Sequence, residues 1–184
     1  MRPNRHRQTG FTLGELMATL AVAGITLALA VPSFQDVMRN NRQATSINQL
    51  VSAMHLARSE AVTRNVQVTI CPSADGDTCG GGWDDGWILF PDRDQDRARD
   101  GGEDVLGSGV PSDTLTLETD EFPDFIAFRP NGRAMADDVD ANTGAFTFCD
   151  ARGADFARVV QVGPNGQPMV PHDTADLDLA CPES

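Results

Sequence analysis

Residues 92–103 carry carboxylates at the spacing of a cation-binding loop. Asp92, Asp94, Asp96, Asp100 and Glu103 fall on positions one, three, five, nine and twelve of the calcium-loop pattern, which presents hard oxygen ligands to a divalent ion. Two details depart from it. The sixth position, where a sharp turn favours glycine, is Arg97, and Pro91 and Gly101-Gly102 leave no helix on either side. Arg93, Arg97 and Arg99 bring cations of their own. The expectation is therefore a solvated loop whose carboxylates pair with arginine, and calcium is the alternative.

Cys71, Cys79, Cys149 and Cys181 offer a second chemistry. An even number of cysteines beyond an apolar N-terminal segment fits an oxidising compartment. Four cysteines permit three pairings. We favour Cys71 with Cys79, closing a Gly/Asp-rich loop, and Cys149 with Cys181, holding the C-terminal tail to a strand. Zinc fits less well, because there is no paired CxxC and the histidines His6, His55 and His172 are scattered.

Catalytic patterns are missing: no GxSxG, no HExxH and no phosphate loop occurs. Glu60 and Asp84-Asp85 could imitate a carboxylate pair, but acidic residues are abundant enough for chance proximity. Trp83 and Trp87 read as packing residues. The expectation is a protein that is not an enzyme and needs no cofactor.

The N-terminal part dictates where all this chemistry is displayed. After a short leader with Arg2, Arg5 and Arg7 comes an apolar run, residues 11–31, broken by one carboxylate, Glu15. As a helix this run is about 31 Å long, enough to cross a bilayer core. Basic residues before it favour a cytoplasmic N-terminus. A carboxylate inside such a segment costs about 2.5–3.5 kcal/mol on insertion scales and calls for a partner. Cleavage between Gly10 and Phe11 would create an amino group four residues from Glu15, and a neighbouring subunit's amine could neutralise it.

The stretch Gly10-Phe11-Thr12-Leu13-Gly14-Glu15 resembles the processing site of type IV prepilins and type II secretion pseudopilins. The resemblance implies that a prepilin peptidase cuts after Gly10 and that Phe11 becomes the methylated N-terminus. Pro32 matches that family's helix-kinking proline, whereas Gly14 replaces a commoner larger aliphatic.

Beyond Pro32 the helical signal continues. Ala44, Ile47, Val51, Met54, Ala57 and Ala61 recur at three- and four-residue spacing among polar residues, describing an amphipathic helix to about Arg64. Short alternating runs follow at residues 66–70, 86–90, 115–118, 125–129, 145–149 and 158–162, with turns at Asn131-Gly132 and Asn165-Gly166 and loops at 92–104 and 134–143. The expected fold is α+β: a long N-terminal helix packed on an antiparallel β-sheet or sandwich domain. The segments are a leader (1–10), a transmembrane and assembly helix (11–34), an amphipathic continuation (35–65) and a periplasmic β-rich domain (66–184).

Ala57-Arg58-Ser59-Glu60-Ala61, Cys71-Pro72, the Trp83 region with its Asp-rich loop, Phe128-Arg129-Pro130-Asn131-Gly132-Arg133 and Phe148-Cys149-Asp150 are similar to the GspH/FimT group of minor pilins, nearer its FimT side. This implies a structural subunit of a type IV pilus serving assembly, twitching, adhesion or DNA uptake. The alternative is a GspH-type minor pseudopilin of a type II secretion system. Implied partners are other pilins or pseudopilins, the prepilin peptidase and an inner-membrane assembly platform. The implied location is the inner membrane, single-pass, and then the filament. FimT-type pilins further imply DNA contact through a Gly-Arg-x-Arg loop, but the aligned stretch, Gly166-Gln167-Pro168-Met169-Val170, lacks both arginines. Arg129, Arg133, Arg152 and Arg158 remain as candidate phosphate contacts, with Asp137, Asp138, Asp140, Asp150 and Asp155 around them. The formal net charge of −13, with all 14 basic residues arginine, opposes long-range attraction to nucleic acid.

Overall fold

The computed structural model describes residues 10–136, 142–171 and 181. Most of the expected leader, part of the 134–143 loop and nearly all of the C-terminal tail lie outside these residues. The chain divides into two compact units, one up to Asn40 and one from Asn41. A single helix, α1 (Leu13–Arg64), runs from the first into the second, with Pro32 inside it.

Thr12 caps the start of α1. Its hydroxyl accepts the Glu15 backbone N–H at 3.3 Å and its carbonyl accepts that of Leu16, satisfying donors that a helix end otherwise leaves open. Every residue from 10 to 42 is exposed. The burial pattern changes at Gln43, and from there the helix presents a packed face of Gln43, Ser46, Ile47, Leu50, Ala53, Met54, Ala57 and Ala61. This corrects the expected apolar row: Ala44 and Val51 are only half-buried, and two polar residues belong to the face instead. Gln43 and Ser46 can be buried because the Gln43 amide nitrogen and the Ser46 hydroxyl meet backbone groups of the domain, which an apolar count does not register.

Asn65, with φ at 55°, ends the helix and turns the chain into the first strand. Among the described residues nine strands follow: β1 (Gln67–Pro72), β2 (Trp87–Asp92), β3 (Gly107–Gly109), β4 (Leu115–Glu118), β5 (Ile126–Phe128), β6 (Ala134–Met135), β7 (Gly144–Asp150), β8 (Arg158–Val162) and β9 (Pro168–Met169). They form a five-stranded sheet in the order β3-β2-β1-β5-β6 and a four-stranded sheet in the order β4-β7-β8-β9. All the strand pairs are antiparallel.

The main core joins the packed face of α1 to both sheets. Leu50, Met54, Val68, Ile70, Trp87, Leu89, Ile126, Phe128, Phe146, Phe148 and Val160 all belong to it. Each large side chain contributes roughly 1.5–3 kcal/mol by leaving water. A smaller cluster occupies the reverse face of the first sheet: Cys71, Ile88, Phe90, Phe125, Ala127 and Met135, with Cys79 and Val105 packed against it. The alternation Trp87-Ile88-Leu89-Phe90 therefore separates two buried faces rather than a core from solvent, and β1 and β2 are buried along their full length. Ala134 and Met135, expected in a loop, are strand residues, because pairing with Phe128 and Ala127 across the Asn131-Gly132 turn outweighs a weak local signal.

Candidate functional site

The stem comes first. Within residues 11–31, Glu15 is the sole ionisable side chain. The most apolar window of the helix has a mean hydropathy of 1.9 and none of it is buried; by length and composition this is a helix able to cross a membrane. Its hydroxyls turn inward on the backbone: Thr19 donates to the Leu16 carbonyl at 2.8 Å, and Thr26 to those of Ala23 and Val22 at 2.9 and 3.1 Å. Those bonds remove polar groups from the stem's surface. What is left is a row of exposed apolar residues, among them Phe11, Leu13, Leu20, Ile25, Leu27 and Leu29, around one carboxylate.

Two disulfides brace the domain. Cys71 joins Cys79 with Cα atoms 5.6 Å apart, and Cys149 joins Cys181 at 5.8 Å. The first closes a loop organised by Asp75. That carboxylate accepts the backbone N–H groups of Asp77 and Thr78 and the hydroxyls of Thr78 and Ser73. These bonds, above all those from Thr78, hold its pKa well below the usual carboxylate range.

The acidic loop leaves the end of β2 beside that disulfide. The Cys79 sulfur lies 3.7 Å from the Arg97 carbonyl, and Arg99 reaches Asp77 at 2.5 Å. Asp92, Asp94 and Asp96 bring carboxylate oxygens within 4.8 Å of one another. Asp100 and Glu103 do not join them. The buried Glu103 instead accepts the N–H groups of Arg93 at 2.8 Å and Asp100 at 3.3 Å, closing the loop on itself. The expected arginine pairing of the carboxylates also needs correcting. Among the described residues, Arg93 donates to the Gly102 carbonyl, Arg99 to the Glu103 carbonyl and to Asp77, and Arg97 lies over the Phe125 ring with Cζ 5.0 Å from its centroid. Among the described residues, none of these guanidinium groups forms an ion pair with Asp92, Asp94 or Asp96.

The candidate phosphate contacts are divided between the sheets. Arg129 and Arg133 flank the β5–β6 turn, where Arg129 is half-buried and donates to the Met135 sulfur at 3.0 Å. Arg152 and Arg158 flank the 3-10 segment Ala154–Phe156 between β7 and β8. Arg152 forms a bidentate bridge to Asp150, down to 2.6 Å, and its guanidinium lies 4.5 Å from the centroid of Phe156. Arg158 is exposed.

Carboxylates that imitated an enzymatic pair have structural partners. Glu60 pairs with Arg64, Asp84 accepts the Leu117 N–H, and Asp85 accepts the Gly82 N–H at 3.0 Å. Polar residues that sequence reasoning passed over hold the helix to the domain. The Gln43 side-chain amide donates to the Phe148 and Phe156 carbonyls at 3.0 and 3.1 Å, Ser46 Oγ accepts the Ser112 N–H, and Arg58 donates to the Gly132 carbonyl at 3.0 Å. Gln43 sits on the side of the helix that carries Ile47 and Leu50, and that placement was its only signal.

Over most of the chain the fold has a counterpart among known structures. The type IV minor pilin FimU of Pseudomonas aeruginosa aligns with a TM-score of 0.54 at 20% identity, covering 72% of this chain and 90% of that one. The minor pseudopilin EpsH of Vibrio cholerae aligns with a TM-score of 0.49 at 10% identity, over 71% of this chain and 96% of that one. A fimbrial protein of Pseudomonas aeruginosa is 34% identical over 61 residues, which is 33% of this chain and 39% of the relative, so the chain spans about two fifths of its length. The model of the family described as type II transport protein GspH matches residues 46–166, from the packed face of α1 to the turn before β9. The chain thus has a pilin-like fold and belongs to the GspH family.

Proposed function

We propose that this chain is a minor type IV pilin, a structural subunit that primes or decorates the filament and catalyses nothing itself. It would begin as a single-pass inner-membrane precursor with its domain in the periplasm. A prepilin peptidase would cut after Gly10, Phe11 would become the N-terminus, and an inner-membrane assembly platform would move the subunit into the filament among other pilins. One observation carries this reading: α1 is exposed and apolar over residues 11–31 and becomes a packed spine only from Gln43. Such a stem needs either lipid or the stems of neighbouring subunits around it. Fold likeness to FimU supports the pilus reading, and the description of the matching family supports a second one, a minor pseudopilin of a type II secretion system.

Deletion in the native host separates the two. Loss of surface pili or DNA uptake with normal protein secretion is expected; lost secretion with intact pili would make the chain a pseudopilin. Mass spectrometry of the mature N-terminus tests processing, and an intact residue 1–10 leader on filament-borne protein would overturn it. DNA contact is the weakest partner assignment, since Arg152 is already engaged by Asp150.

A further inference from the structure

We propose that Asp92, Asp94 and Asp96 form a calcium site on the domain, a role independent of whether the filament is a pilus or a pseudopilus. Their carboxylate oxygens lie within 4.8 Å of one another. Calcium–oxygen distances of about 2.3–2.6 Å put ligands on opposite sides of the ion roughly 5 Å apart. All three aspartates can therefore reach one ion.

The second observation is independent of that clustering. Asp92 is fully buried, and its Oδ2 accepts both Gln67 Nε2 and Thr69 Oγ1 at 2.8 Å. Its Oδ1 is buried with no hydrogen-bond partner. A carboxylate oxygen withdrawn from water and left unpaired is costly unless something cationic meets it. No described arginine or histidine forms an ion pair with Asp92, Asp94 or Asp96. Gln67 and Thr69 fix the orientation of Asp92, as outer-shell groups commonly do for a ligating side chain.

The chain between the ligands follows the same logic. Gln95 and Arg97, the residues after Asp94 and Asp96, have φ at 64° and 68°. Arg97 thus adopts at the sixth position the left-handed turn that glycine usually supplies, despite its side chain. Asp94 and Asp96 are exposed and Asp92 is buried, so solvent can complete the coordination from one side. Oxygen-only ligands exclude the softer metals, and carboxylate oxygens spread over as much as 4.8 Å fit calcium–oxygen bonds of about 2.3–2.6 Å better than magnesium's octahedron of about 2.0–2.1 Å.

The test uses the full chain in detergent, stripped with a chelator and dialysed against calcium or magnesium. One calcium per chain is expected, with melting raised by roughly 5–10 °C at a hundredfold excess over the dissociation constant. The double variant Asp94→Asn, Asp96→Asn should lose both effects while melting like the parent without metal. Failure of the parent to bind calcium overturns the site. So does equal binding by the double variant, and equal retention of magnesium overturns the identity of the ion.

Discussion

Trp83 stands edge-on to Phe146, with ring centroids 4.9 Å apart and planes at 79°. Its indole N–H donates to the Phe122 carbonyl at 2.8 Å, and the Phe122 ring stacks on Phe146 at 5.3 Å. Trp83 precedes β2 of the first sheet, whereas Phe146 lies on β7 of the second. The trio therefore ties the two sheets through apolar contact and one buried hydrogen bond, each of which can be removed separately. Trp83→Phe should cost about 1–2 kcal/mol, chiefly the stranded carbonyl; Trp83→Ala should cost about 3–5 kcal/mol by adding a cavity. Thermal unfolding of the full chain in detergent measures both: no loss in Trp83→Phe would show that the indole N–H contributes nothing, and equal losses in the two variants would show that the ring adds nothing beyond its hydrogen bond.

The disulfides should differ in weight. Cys71–Cys79 closes a separation of 8 residues and Cys149–Cys181 one of 32. On the chain-entropy account they contribute about 2.5 and 3.5 kcal/mol. Replacing each pair by serine should lower the melting temperature, more for the longer loop. The reverse order would mean that Cys71, fully buried in the reverse-face cluster, matters more as packing than as a crosslink.

Asp75 carries a pH signature. Because its pKa is depressed in the folded protein, its contribution is fully present above the unfolded carboxylate pKa, about 3.9, and is lost as pH falls through the folded value. Asp75→Asn should lower melting at neutral pH, and the gap to the parent should narrow as pH drops below about 4. A gap that stays constant across that range would assign the effect to neutral hydrogen bonding alone. The group is solvent-exposed, so the difference should be small beside those of Trp83 or the disulfides.

Glu15→Val tests the assembly role. Insertion into the inner membrane should persist or improve, since an unpaired carboxylate leaves the apolar stem. Incorporation into filaments should fall about tenfold or more, given the roughly 1.4 kcal/mol behind each factor of ten. Fractionation of membranes and sheared filaments reads both quantities, and normal incorporation would remove Glu15 from any part in register.

Legibility followed the range of each interaction. The helix from the apolar run to Arg64, and strands such as Leu115–Glu118 and Arg158–Val162, rest on local periodicity and were readable. The strand Gly107–Gly109 was not, because Gly-Ser-Gly has no strand preference of its own. It pairs at the edge because Trp87 and Leu89 lie over its glycines, and a Cβ at Gly109 would meet the Trp87 indole. Gln43 escaped for a similar reason: its partners, Phe148 and Phe156, lie 105 and 113 residues away. In the acidic loop, spacing identified five carboxylates, but only the folded path shows that three converge while Glu103 serves the backbone.

The exposed stem has a consequence for the direction of assembly. In the proposed filament its apolar side chains exchange lipid tails for the stems of neighbours, two surroundings of nearly equal apolarity. That transfer has little hydrophobic free energy in either direction, unlike withdrawal from water. Subunit entry is therefore close to thermodynamically neutral over most of the stem, and the balance is left to packing and to the one charge at Glu15. A joint of this kind can be unmade, so such a filament can dissolve back into its membrane without its subunits unfolding.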